Sequence, residues 1–264
     1  MISLKRIPIP RFSILTLLGI IAVIAVGLTV WERWVSWPDA QADFAEIVET
    51  DKPKQDVLKE ARGLVRRYPQ LARQPGAMTW AVIQGDVETC RVFLDAGAKL
   101  VDDQDDEDPS FPLLYLPVSQ GEVEKVELLI SRGAKVDQPF DLDFFSLRGI
   151  SYLETAASFG HTEMCRVLLD NGAQVDYKSS DGNTALHAAV GCFSPKTVQL
   201  LVDHHAQCTA NAKGETPLSM AQDLQNHFQD QGVTNDSIEK ITAILEAYQQ
   251  ENASSDQGAD KDAT

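Results

Sequence analysis

Thr184-Ala185-Leu186-His187-Ala188-Ala189 begins eleven residues after Gly172-Ala173, and Asp181-Gly182-Asn183 leads into it. Gly214-Glu215-Thr216-Pro217-Leu218 keeps the same rhythm one unit later. Self-similarity at a fixed period is the mark of a stack of repeats. A stack of that kind works by holding a surface out to a partner, not by making or breaking bonds.

Working outward from this stretch, the register extends in both directions. Gly85 pairs with Gly97-Ala98, Gly121 with Gly133-Ala134, and Gly160 with Gly172-Ala173; Phe193 takes the glycine slot before His205-Ala206. The members of each pair are twelve residues apart, and the units start 36, 39 and 33 residues apart. Val92-Phe93-Leu94, Leu128-Leu129-Ile130, Val167-Leu168-Leu169 and Leu200-Leu201-Val202 precede the second ending of each unit. Val87, Val123, Met164 and Val198 lie about a turn earlier, so the apolar spacing is helical. Glycine at a helix end can take the left-handed conformation that closes the helix. Asp86, Glu122 and Thr162 stand near second-helix starts, where an acid or hydroxyl favours capping.

These motifs strongly resemble the ankyrin repeat over about residues 76–248, with Gly-x-Thr-x-Leu-His plus Gly-Ala as the specific part. The resemblance implies an all-α fold: a solenoid of about five stacked helical hairpins at residues 74–248. In the family the Thr-Pro start caps the first helix, and the histidine hydrogen-bonds between neighbouring repeats. His187 matches that histidine, whereas Ser219 replaces it in the fifth unit and Thr79, Tyr115 and Glu154 take its slot in the first three. Internal repeats are apolar on both stacking sides, so the ends need covers. Residues 39–73 supply two helical segments, one with Phe44, Ile47 and Val48, the other with Val57, Leu58, Ala61, Leu64 and Val65. Ser237–Tyr248, carrying Ile238, Ile241, Ile244 and Leu245, is expected to close the other end after a long loop around Asp223–Asn235. Residues 249–264 lack apolar residues beyond alanine and are expected to be disordered.

The amino-terminal segment has a different character. Residues 12–31 form a twenty-residue run without charge, and at 1.5 Å per residue this spans about 30 Å, the thickness of a hydrocarbon core. Trp31, Trp34 and Trp37 follow, where aromatic rings sit at the headgroup level. Lys5, Arg6 and Arg11 precede it, in residues 1–11, and keep that end cytoplasmic. The expected arrangement is a single-pass transmembrane helix at 12–31 and an interfacial linker at 32–38. The chain beyond would then lie in the periplasm, on the outer side of a bacterial inner membrane. A cleaved signal peptide is the rival, but its apolar segment is usually shorter, and no A-x-A site follows.

Net charge is −16; residues 1–35 carry four basic and one acidic residue, so the remainder carries −19. Such a surface repels nucleic acid and anionic lipid and favours a basic partner, although solubility alone also explains it. Cys90, Cys165, Cys192 and Cys208 form no C-x-x-C pair; Cys90 and Cys165 hold the same slot of two repeats and read as buried small hydrophobes. Only Cys192 and Cys208 are left as a pair that could join.

Repeat proteins put insertions on one face, often the binding face. Both departures from the 33-residue period are odd in composition. The first holds Asp102, Asp103, Asp105, Asp106, Glu107 and Asp108. A basic protein would relieve their mutual repulsion; a calcium loop and plain solvated charge are the alternatives, and the EF-hand alternation and mid-loop glycine are missing. The second holds Phe140, Asp141, Asp143, Phe144 and Phe145, with Pro139, Leu142, Leu147 and Arg148. Rings beside acids suit an interface; packing of a long loop against the stack is the alternative. Asp137, Glu154 and Tyr177 could continue the same concave side.

No G-x-S-x-G, H-E-x-x-H or phosphate loop is present, so neither catalysis nor a cofactor is expected. By the family analogy the function is protein binding. A tethered, acidic receptor in the envelope could bind and inhibit an incoming secreted effector toxin, of phospholipase type for example, as an immunity protein. It could instead scaffold an envelope complex.

Overall fold

The computed structural model describes residues 54–74, 76–100, 112–142 and 147–259. The expected membrane segment at 12–31, the linker at 32–38, the first cap segment at 39–49, the acidic run Asp102–Asp108, and Asp143, Phe144 and Phe145 all lie outside them. Among the described residues no helix is long and apolar enough to cross a membrane. The chain divides into two compact units: Met1–Ala81 with Val92–Lys99, and Val82–Arg91 with Leu100–Thr264.

In the first unit, helix α1 (Lys54–Arg67) buries Leu58, Ala61 and Val65 and leads into a 3-10 turn at Pro69–Arg73. Helix α2 (Ala77–Gln84) starts here, and helix α3 (Val87–Asp95) ends here. The Trp80 and Phe93 rings stack with centroids 5.8 Å apart. Arg73 Nε donates to the Ala96 carbonyl at 3.2 Å.

Among the described residues the second unit contains four further helix pairs: α4 (Tyr115–Ser119) with α5 (Val123–Ser131), α6 (Tyr152–Ser158) with α7 (Thr162–Asp170), α8 (Ala185–Gly191) with α9 (Pro195–Asp203), and α10 (Pro217–Asp230) with α11 (Asp236–Ala259). First helices pack in the order α4, α6, α8, α10, and second helices in the order α5, α7, α9, α11. The core lies between the two rows, where Leu114, Leu129, Leu153, Met164, Leu168, Leu186, Leu201, Ile238, Ile241 and Leu245 are fully buried.

The Gly-Ala pairs are explained by the way the helices close. The Ala134 amide reaches back to the Leu129 carbonyl (3.0 Å) and the Gly133 amide to Ile130 (2.9 Å). Ala173, Ala206 and their preceding residues repeat the pattern. This is the double bond of the Schellman motif, which needs a left-handed residue at the first position and favours a small apolar one at the second. Where the register puts Phe193 and His205 in the glycine slot, the backbone still takes the left-handed conformation, with φ of 57° and 61°. The geometry is imposed by the repeat, and the side chain bears the strain.

Three expectations are corrected. The fold is mostly helical but not all-α: β1 (Phe140–Leu142) and β2 (Leu147–Ile150) pair antiparallel, with Phe140 opposite Ile150 and Leu142 opposite Leu147. The extra residues between the second and third units form this ribbon, which buries Phe140 and Ile150 and uses a bulge to accommodate the mismatch in length. The loop expected around Asp223–Asn235 is mostly helix, because no breaker occurs between Pro217 and Gly232; Gly232 ends α10 with a left-handed φ of 70°. The tail expected to be disordered from residue 249 continues α11 as far as Ala259, since no Gly or Pro interrupts it before Gly258.

Candidate functional site

The second unit carries an open cleft of about 410 Å³, lined by Tyr115, Arg148, Ile150, Glu154, Thr155, Ser158, Phe159, Ser179, Ser180, Asp181, Asn183 and Ala188. Its position follows from the repeat. Helices α6 and α8 form one wall, and the turns that precede them bring in backbone and short polar side chains. Successive turns are stitched together: the Ser180 amide donates to the Arg148 carbonyl (3.1 Å) and the Ala212 amide to the Asp181 carbonyl (2.9 Å). Acids just after the Gly-Ala endings do the same at the base of the turns. Asp137 Oδ1 accepts from the Gln174 amide (3.3 Å), and Asp176 Oδ1 from the Gln207 amide (2.7 Å).

Two residues in the same repeat slot behave differently. His187 accepts from the Thr184 amide at Nδ1 (3.2 Å), and its Nε2 meets the Glu215 carbonyl at 3.0 Å. With Nδ1 accepting, Nε2 carries the proton and donates, which ties one repeat to the next. Burial lowers the His187 pKa, so the ring stays neutral. Glu154 lies in the first turn of α6, where the N-cap Ser151 hydroxyl accepts from its amide at 3.0 Å. Its Oε1 accepts from the Ser179 hydroxyl (3.3 Å), but its Oε2 is buried without a partner. Burial, opposed by the Ser179 hydrogen bond and reinforced by Asp181, pushes the carboxyl from 4.5 up to about 7.

Phe159 ends the same helix and is 55% exposed, its ring stacked on His161 at 6.1 Å. Among the described residues only Phe159 and Val233 are large apolar side chains so open to solvent. Tyr115 also lines the cleft and rests edge-on against Phe140 at 5.7 Å.

Of the residues singled out from sequence, Phe140 is only 4% exposed, with Tyr152 at 4.8 Å on its other side. Its ring supports the cleft wall from behind and offers no contact surface. Asp141 is exposed, and its Oδ1 accepts from the Gly149 amide at 2.7 Å, closing the ribbon. Phe140 and Asp141 thus sit together on β1, beside the cleft. Asp102, Asp103, Asp105, Asp106, Glu107, Asp108, Asp143, Phe144 and Phe145 are outside the described residues. Sequence reasoning passed over Phe159, Ser179, Asp181 and Asn183. Phe159 carried a usable signal, being a large ring next to the helix-ending Gly160 where the corresponding residues are Gln120 and Cys192.

The cysteines are free thiols, the Cys192–Cys208 pair included. Burial pushes Cys90 up to about 11 and Cys165 up to about 12, and raises Cys192 and Cys208 as well. Protonated thiols of this kind are packing groups and poor nucleophiles.

Residues 153–230 match the family model described as ankyrin repeats, in three copies. An ankyrin repeat-containing protein of Treponema pallidum is 39% identical over 127 residues, which is 47% of this chain and 39% of that protein. The protein fem-1 homolog A-like of Mus musculus is 40% identical over 81 residues, 31% of this chain and 12% of its own length. The ankyrin repeat and KH domain-containing protein mask of Drosophila melanogaster is 37% identical over 108 residues, 40% of this chain and 2% of its own length. The chain therefore spans well under half the length of these relatives. Repeats of this type are general protein–protein interaction modules.

Proposed function

We propose that this chain is a non-enzymatic protein-binding module that engages its partner through the cleft over α6 and α8. The observation that carries the reading is the joining of an exposed ring, Phe159, to an unsatisfied acceptor, Glu154, in one open cleft built by consecutive repeats. An apolar anchor beside a polar group lacking its partner is what a recognition surface needs. The chain's charge of −16 selects a basic partner and speeds its encounter.

The apolar run at 12–31, with basic residues before it and tryptophans after it, supports a tether to the bacterial inner membrane with the repeats in the periplasm. A secreted effector toxin with a basic surface, of phospholipase type for example, is the partner this placement favours, and covering its active site is the mechanism. The sequence run Asp102–Asp108 and the residues Asp143, Phe144 and Phe145 are further candidates for contact with the partner, as is Asp141 on β1.

A photo-crosslinking residue at Phe159 of the full chain, in living cells, tests this. A discrete adduct is expected from Phe159 and none from the same residue placed at Val233. Identical patterns from both positions would remove the cleft as the binding surface. Deleting the gene should then sensitise cells to expression of the captured protein; unaltered survival would point to a scaffold instead of an inhibitor.

A further inference from the structure

Glu154 is a costly residue for the slot it occupies. The histidine one repeat later satisfies both ring nitrogens, whereas Glu154 places a carboxylate in a poorly hydrated position with one oxygen accepting from Ser179 and the other buried and unpaired. Nothing in the packing demands an acid there. The terminal torsion of a glutamate is broad, so a partial turn of the carboxylate can bring its unpaired oxygen toward an incoming donor.

The groups that face Glu154 narrow the identity of that donor. Tyr115 from α4, Arg148 from β2 and Asp181 from the turn before α8 are the titratable groups lining the same cleft; His187 on α8 is engaged with Thr184 and Glu215. Above about pH 7, where Glu154 is ionised, two carboxylates against one cation leave the cleft acidic. The rings of Tyr115 and Phe159 line it as well, and the Asn183 side chain with the Ser180 hydroxyl adds neutral polar groups. A metal ion is poorly served, because a hard cation wants several oxygens and only one carboxylate stands deep in the cleft. An ammonium is strongly hydrated and would lose that hydration here. A guanidinium is weakly hydrated, stacks on aromatic faces and offers a fork of donors to a carboxylate.

We infer that the cleft receives an arginine side chain of the protein partner, with the Glu154 carboxylate as its counter-ion and Phe159 and Tyr115 as the flanking rings. This rests on the protein-binding reading of the same cleft and names the chemistry that the partner presents. Since only the ionised carboxyl pairs with a cation, binding the guanidinium releases a proton wherever Glu154 is still protonated. Capture therefore strengthens as pH rises toward and past 7.

The test uses the full chain in neutral detergent, labelled with carbon-13 at glutamate Cδ. The Glu154 resonance is assigned by its loss in Glu154→Gln. The probe is N-acetyl-argininamide, and its neutral counterpart is N-acetyl-citrullinamide. The arginine probe should lower the Glu154 titration midpoint by about one pH unit, the effect of an opposite charge at contact distance. The citrulline probe should leave it in place, and both should leave the other glutamates where they were. A midpoint unmoved by the arginine probe, or moved equally by both, overturns the inference. The crosslink from Phe159 is read separately, so a partner captured by a cleft that ignores the arginine probe would sink the guanidinium and spare the binding reading.

Discussion

His187 and Glu154 occupy the same position in successive repeats, yet His187 Nε2 reaches the Glu215 carbonyl at 3.0 Å while Glu154 depends on the Ser179 hydroxyl at 3.3 Å. The histidine donates across the repeat boundary. An ionised glutamate can only accept, and it shares the single Ser179 hydroxyl proton with the Asn183 carbonyl, also at 3.3 Å.

The first prediction follows from that difference. The folded chain holds a proton on Glu154 up to about pH 7, whereas the unfolded chain releases it near 4.5. Between these values the native state binds more protons, so stability falls as pH rises through the window and levels off above it. The span is on the order of 3 kcal/mol. Glu154→Gln keeps an acceptor for Ser179 without the charge. It should stabilise the fold by about 1–2 kcal/mol at pH 8 and change nothing at pH 4, as measured by denaturant unfolding at both pH values. Equal effects at the two values would show that the carboxylate is not strained.

His205 holds a left-handed backbone with φ of 61°. His205→Gly removes the steric cost of a Cβ there, at some expense in unfolded-chain entropy. A net gain of about 0.5–1 kcal/mol is expected. A lower unfolding midpoint in the variant would mean that the imidazole contributes more than the backbone costs.

Gly182 lies where two turns nearly touch: a Cβ there would stand 2.7 Å from the Ala212 amide nitrogen, and φ is 73°. Gly182→Ala must push the turns apart and stretch the 2.9 Å bond from Ala212 to the Asp181 carbonyl. A loss of roughly 2 kcal/mol or more is expected, with faster amide exchange at Ala212. Wild-type exchange at that amide would contradict the crowding.

Lys125 is 3% exposed and its Nζ donates to the Val82 (3.1 Å) and Gly85 (3.0 Å) carbonyls while paired with Glu122 Oε2 at 2.7 Å. Lys125→Met fills the space but strands two carbonyls and a carboxylate. Breaking a buried pair from one side costs about 3–5 kcal/mol. Because Glu122 can still reach water through its exposed side, the lower end is expected. Adding Glu122→Gln should recover part of the loss, and a strictly additive double variant would show that the pair is not coupled.

The repeat frame was legible because its signals are local. Gly-Ala endings, the apolar helix spacing and the Thr184 start each report on a few neighbouring residues, and even Phe193 and His205 fell into the slots that the register assigned them. The ribbon was not legible as strands. Phe140 to Ile150 contains two short apolar groups whose pairing depends on the helices beneath them, and the acids around Phe140 suggested an exposed interface where the ring is in fact covered. The cleft was half legible. Glu154 stood out as a departure from the histidine, but Phe159, Ser179 and Asp181 became a site only once three repeats were set side by side.

The double amide bonds that end helices α3 to α10 have a consequence for how such a chain can change over generations. A helix closed in this way seals its end with its own backbone, so residues can be gained or lost after it without opening its neighbours. The stretch from Phe140 to Ile150 is a place where that freedom has already been taken. It marks the site at which a designer could graft a foreign peptide and leave the rest of the array standing.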